Sequence, residues 1–299
     1  MRYIFSLVLI FLFSITKAQQ HPIFTQYMFN GLAINPAYSA VDDYLNATMI
    51  IRKQWSGFEG APNTQSLTLH SPFREGSSES FGFFLLNDGI GEVIAERGLF
   101  LSGAKKVKLG ENLYLAGGIS GGFTNYVANY SKLDDTGQDA IFTDQNDKSI
   151  NLGFGTMLFS DRFYFGASSP FFSTLLINNN KINPNNNLPY FAFQGGVLTN
   201  LNSSIKFKPS FLVKYIKNAP LQADINANFY ITNILGLGIS WRSFDSIDLL
   251  AQFQITKKLE LGYAFDFTNS GLQKAQSGTH EIMLRYRLIR GPFAERCYF

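Results

Sequence analysis

The 299 residues include 26 Gly, 14 Tyr and 30 Phe, yet only 16% are charged, against roughly a quarter in an average soluble domain. A formal net charge of +3 offers no basic face for nucleic acid, and the lone cysteine, Cys297, excludes an intrachain disulfide. Low charge, abundant aromatics and the lack of a helix-length apolar run after the first residues fit a chain that crosses a membrane as a β-barrel.

In chain order, the first predicted element is an export signal. Arg2 precedes an apolar run from Ile4 to Ile15 interrupted only by Ser6 and Ser14, and Thr16-Lys17-Ala18 follows. Small residues at the two positions read by a signal peptidase place the cut after Ala18, so residues 1–18 read as a signal peptide. The run is too short for a bilayer-spanning helix, which needs roughly 20 residues. Residues 19–43 then form an N-terminal segment expected to lie in the periplasm or to fold back into the lumen.

From residue 44 the dominant pattern has period two. Leu259, Leu261, Tyr263, Phe265 and Phe267 alternate with Lys258, Glu260, Gly262, Ala264 and Asp266. Ala223, Ile225, Ala227 and Phe229 alternate with Asp224, Asn226, Asn228 and Tyr230, and Ile282, Leu284, Tyr286 and Leu288 with Glu281, Met283, Arg285 and Arg287. A strand separates such sets onto two faces, whereas a helix would mix them. The pattern predicts strands at 44–54, 64–71, 80–88, 93–107, 112–125, 148–159, 162–169, 191–200, 204–216, 223–232, 235–243, 247–256, 258–268 and 279–289. These fourteen strands, most near the ~9–11 residues needed to cross a bilayer at a tilt, imply an all-β antiparallel barrel of outer-membrane type over residues 44–289, with 290–299 as a C-terminal tail.

The connections sort by parity. Turns after even-numbered strands are short, as at Ser160-Asp161, Asn233-Ile234 and Lys257, whereas those after the fifth and seventh strands run from Tyr126 to Asp147 and from Pro170 to Tyr190. Outer-membrane barrels pair short periplasmic turns with long outside loops, so odd-numbered connections are expected to face outward. Pro72 to Glu79 is the exception. A soluble sandwich or lipocalin-like barrel would also alternate, but it gives no reason for this sorting.

Catalytic and metal-binding patterns are sparse. His21, His70 and His280 lack the spacing of a metal site, and no cofactor is expected. Ser66 and His70 share one strand face, an arrangement to compare with lipid-cleaving barrels, but no Gly-x-Ser-x-Gly turn accompanies them. Asp134, Asp135, Asp139, Asp144 and Asp147 form an acidic loop without calcium-loop spacing, and Asn178 to Asn187 reads as an exposed loop tip. Lys206, Lys208, Lys214, Asp224, Arg242, Glu260, Asp266, Glu281, Arg285 and Arg287 fall on the inward face as candidate lumen-lining residues. Their mixed signs favour a self-paired, partly filled lumen over an ion-selective channel.

Three stretches resemble the PorP/SprF family of the Bacteroidetes. They are Gln26-Tyr27-Met28-Phe29-Asn30 with Asn35-Pro36-Ala37-Tyr38; Arg52-Lys53-Gln54-Trp55-Ser56-Gly57-Phe58 with Gly60-Ala61-Pro62-Asn63-Thr64 and His70-Ser71-Pro72; and Gly262-Tyr263-Ala264-Phe265-Asp266 with Gly278-Thr279-His280-Glu281-Ile282 and Arg296-Cys297-Tyr298-Phe299. The family tail reads Cys-Pro-Arg-Tyr-Phe, and the proline is missing here. The resemblance implies a type IX secretion system membrane protein. Such a protein works with the secretion machinery, its periplasmic linker proteins and a secreted cargo carrying a C-terminal secretion domain, such as a gliding adhesin. Candidate partner-binding residues are Arg52, Gln54, Trp55, Phe58 and Pro62 around the first outward loop, and Gln26, Tyr27, Asn30, Asn35, Pro36 and Tyr38 in the N-terminal segment. A passive outer-membrane porin and a barrel lipid hydrolase are the alternatives.

Overall fold

A computed structural model describes residues 24–133, 143–178, 181–184, 189–217, 219–269 and 271–288. The signal segment, Asp134, Asp135, Asp139, residues 179, 180 and 185–187 of the asparagine-rich run, and the C-terminal tail lie outside the described residues.

Alternating side chains make the strands, and the strands close a barrel. In order they are β1 (Leu45–Lys53), β2 (Pro62–Pro72), β3 (Glu79–Ile90), β4 (Ile94–Lys108), β5 (Tyr114–Ala128), β6 (Gln145–Phe159), β7 (Phe163–Asn178), β8 (Lys181–Pro184), β9 (Tyr190–Val197) and β10 (Thr199–Asn200). They continue as β11 (Ile205–Ile216), β12 (Gln222–Ile231), β13 (Leu235–Arg242), β14 (Ser246–Gln254), β15 (Leu259–Thr268) and β16 (Thr279–Leu288). Each wall strand pairs antiparallel with its neighbours, β9 bridges β7 to β11, and β16 pairs with β1 from Leu45↔Leu288 to Lys53↔His280. Counting β9 and β10 as one broken strand and β8 as an outgrowth of β7, this is a closed barrel of fourteen antiparallel strands. Closure through β16 and β1 and through β7, β9 and β11 leaves no open edge in the fourteen-strand wall, which is what a β-structure in lipid requires.

The exterior is apolar. Leu101, Ile119, Leu152, Phe165, Ile225, Leu249 and Ile282 are among the large hydrophobic side chains exposed on it. The interior is mixed: Lys208, Asp224, Arg242, Asp248, Glu281 and Arg285 are buried there beside apolar Phe84, Phe100, Met157, Leu212 and Met283. No helix among the described residues is long and apolar enough to cross a membrane.

The connections 73–78, 109–113, 160–162, 201–204, 232–234 and 255–258 lie at the end where β1 begins and β16 finishes. At the opposite end lie 54–61, 91–93 and 243–245, together with the described residues 129–133, 143–144, 217, 219–221, 269 and 271–278. The Ile231–Ile234 turn is tight because Thr232 and Asn233 both take positive φ, 51° and 57°, the twist that suits a two-residue hairpin.

The seventh strand departs from the sequence expectation. Pro170 to Asn178 continues β7 and folds back as β8 from Leu175↔Pro184 to Asn178↔Lys181, so much of the expected loop is a hairpin. A proline is normally read as ending a strand, but Pro170 sits at a bulge, where the register on β9 slips between Ser168 and Phe171. The slip turns Phe171 inward onto Phe100 and Tyr190, the re-aiming that bulges permit.

Candidate functional site

The lumen is occupied by the chain itself. Residues 24–43 run through it as a strap of short 3-10 turns, Tyr27–Phe29, Gly31–Ala33 and Pro36–Ala40, and nearly every residue from Phe24 to Asp42 is buried. The last turn begins on Asn35, whose Oδ1 accepts the Ala37 N–H at 2.9 Å, with Pro36 at the first position. Asparagine as cap followed by proline is a strong local helix start.

An ionic clasp fixes the strap at the long-connection end. Glu281 accepts the backbone N–H groups of Thr25 at 2.9 Å and Gln26 at 2.7 Å. Arg52 meets Asp266 at 2.7 Å and Glu281 at 3.2 Å, and donates to the Thr25 hydroxyl at 2.8 Å. Arg242 pairs with Asp224 at 3.1 Å and donates to the Phe24 carbonyl at 3.3 Å. At the opposite end Asp42 lies 2.7 Å from His70 Nε2 and accepts from Asn46 at 3.0 Å. Between the clasps, Asn226 donates to the Tyr27 hydroxyl at 2.8 Å, Asn30 to Ser66 at 3.3 Å, and Ser168 to the Ile34 carbonyl at 2.8 Å. The Arg285 guanidinium lies 4.8 Å from the centre of the Phe29 ring, and the Lys208 ammonium 5.7 Å from it. Removing one partner from such buried charge networks leaves the other uncompensated, at a cost of about 3–5 kcal/mol.

Glycine makes the space. A Cβ on Gly118 would stand 2.5 Å from the Ala37 nitrogen, and one on Gly155 would collide with the Asn35 amide. Only a bare backbone lets the strap approach the β5 and β6 wall at these two points.

The candidate residues therefore separate. Gln26, Tyr27, Asn30, Asn35, Pro36, Tyr38 and Arg52 are buried in the lumen and face the barrel wall or one another. Of the expected lumen lining, Lys208, Asp224, Arg242, Glu260, Asp266, Glu281, Arg285 and Arg287 are buried and Lys206 and Lys214 half-buried. Arg285 and Arg287 share Glu260, the second at 3.2 Å. Ser66 and His70 also point into the lumen, where Asn30 and Asp42 hold them, so this pair faces away from lipid.

Gln54, Trp55, Phe58 and Pro62 sit on the rim. Phe58 is exposed and Gln54, Trp55 and Pro62 half-buried. Trp55 takes φ 46°, unusual for a bulky residue, and its N–H donates to the Thr279 hydroxyl at 3.1 Å. Ser56 and Gly278 bond at 2.8 Å, and Ser277 and Ser56 at 2.7 Å, so loop 54–61 is zipped to loop 269–278. The rim residue that sequence reasoning missed is Phe244, 80% exposed and at φ 63° in turn 243–245; the available signal was an aromatic residue inside a tight turn. In the acidic loop, Asp144 accepts the Ser131 N–H and hydroxyl at 2.9 and 2.8 Å, which holds its carboxyl below the usual range.

The profile of the type IX secretion system membrane protein PorP/SprF family matches residues 16–286. No curated protein matches the chain. Among solved structures, the chain is similar to the Acinetobacter baumannii outer membrane protein Omp33, with 11% identity, a TM-score of 0.48, and 82% of this chain and 98% of that one covered. It is also similar to the P. putida toluene transporter TodX, with 10% identity, a TM-score of 0.45, and coverage of 88% and 95% respectively.

Proposed function

This chain belongs to the type IX secretion system membrane protein PorP/SprF family, and we propose from that premise that it is a self-plugged accessory barrel of the outer membrane, exported by its N-terminal signal. Its rim would engage a secreted partner protein or the secretion machinery, assisting export or surface attachment by binding alone. The reading rests on one observation: the N-terminal family motif is consumed in strapping the lumen, whereas the motif after Arg52 presents Trp55 and Phe58 at the mouth. A filled barrel has little use as a conduit. A rigid aromatic loop zipped to its neighbour is suited to protein contact, because its aromatic side chains lose little freedom on binding.

Crosslinking of the native protein in cells, followed by identification of what co-purifies, tests the reading. Recovery of an exported protein or a secretion-system component is expected, and recovery of neither would overturn it. A passive porin would instead show sustained, size-graded conductance after reconstitution. A lipid hydrolase would lose activity on His70→Ala.

A further inference from the structure

The exterior carries a second, unclaimed feature on one side of the barrel. Gln65, Asn87, Arg97, Asn125 and Lys148 stand opposite one another across the successive ladders of β2 to β6. They are on the outward face, in phase with exposed Leu67, Leu85, Leu99 and Phe123. The adjacent row, Thr64, Asp88, Glu96, Tyr126 and Asp147, has the opposite phase and points inward. On β2 to β6, alternation has therefore put the cations of this level outside and its carboxylates inside. Among the described residues, neither Arg97 nor Lys148 has a carboxylate partner.

The polarity is local. Followed past Gln65, the same row becomes Ile51, Ile282 and Tyr263. A lipid-facing cation costs ~2–4 kcal/mol at the bilayer midplane and ~0–1 near the headgroups. The row is thus expected at an interface, and it lies near the long-connection ends of its strands. Toward the midplane, the next row is Leu67, Leu85, Leu99 and Phe123. The leucine row and Gln65, Asn87, Arg97 and Asn125 of the polar row line a single open groove of about 480 Å³, and Lys148 stands beside it, opposite Asn125 on β6.

We infer that this groove binds a phosphorylated glycolipid of the outer leaflet. Arg97 and Lys148 stand two strands apart, about 10 Å at the backbone, and their long side chains can converge on one sugar phosphate. Arginine is well matched to phosphate, and the amides of Gln65, Asn87 and Asn125 supply donors to the neighbouring sugar oxygens. The acyl chains lie along the leucine row. The site needs only that the barrel stands in an outer membrane, and it is independent of any protein partner.

The test uses the purified full-length protein in neutral detergent, mixed with bis-phosphorylated lipid A or with its dephosphorylated form, and reads the lipid retained after gel filtration. The wild type should prefer the phosphorylated lipid by roughly tenfold. Arg97→Gln/Lys148→Gln should abolish that preference while keeping the heat-dependent gel shift of a folded barrel. Leu99→Trp, which fills the groove and keeps both charges, should lower retention of both lipids. Equal retention of the two lipids by the wild type, an unaltered preference in the double variant, or undiminished retention by Leu99→Trp would overturn the site.

Discussion

Residues 24–43 and 54–62 are neighbours in sequence and opposites in environment. The first is sealed inside the barrel and held by buried ion pairs, glycine-backed contacts and hydrogen bonds to the wall. The second stands at the mouth with its aromatic residues half-buried or exposed. Both carry family motifs, so a motif by itself does not separate a residue that holds the molecule together from one that meets another molecule. Arg52 marks the boundary: its side chain is in the clasp, while Trp55, three positions on, is on the rim.

Substitutions on either side of that boundary should separate stability from delivery. Arg52→Met should have the largest effect, because it leaves Glu281 without its cation and Asp266 with only Arg242, 3.9 Å away. A loss of about 3–5 kcal/mol is expected in reversible urea unfolding of the barrel in vesicles, and a midpoint unchanged from wild type would mean that the clasp is not desolvated. Gly118→Val should cost about 1–3 kcal/mol through overpacking against Pro36 and Ala37 and should raise the conductance of reconstituted protein as the strap is pushed off its seat. If conductance stays at baseline while stability falls, the strap tolerates displacement without opening a path. Trp55→Ala should leave the unfolding midpoint nearly unmoved yet reduce surface delivery of the secreted partner, read by antibody on intact cells; undiminished delivery would remove the rim from the binding surface. Lys105→Ala, which breaks an exposed pair with Glu79, should change neither readout.

Much of the barrel was legible from period two alone, because one strand face meets lipid and the other an enclosed interior. The wall strands all fall at or near the segments the alternation marks, and the broken β9–β10 strand covers 191–200 almost entirely. What alternation could not convey was the third dimension of the lumen. Gly118 and Gly155 read as ordinary strand glycines until the strap is seen against them, and Asp42 gives no sign in sequence of its bond to His70 on β2. The continuation of β7 past Pro170 was not legible because a bulge slips the register between Ser168 and Phe171 and breaks the alternation there. The inward charges of β12 to β16 were readable as a mixed set, but their assembly around Thr25 and Gln26 depended on a segment with no periodicity to place it.

The occupied lumen can be tested by one crosslink. In a Cys297→Ser background, Asn35→Cys removes the amide that a Cβ at position 155 would meet, so that with Gly155→Cys the two thiols stand where the strap meets the β6 wall. Oxidation of intact membranes should join them within one chain, giving a faster-migrating band on denaturing, non-reducing gels that reverts with reductant. Failure of the band to form under conditions that oxidise an adjacent-strand control pair would mean that residues 24–43 lie elsewhere, and the self-plugged barrel would be contradicted.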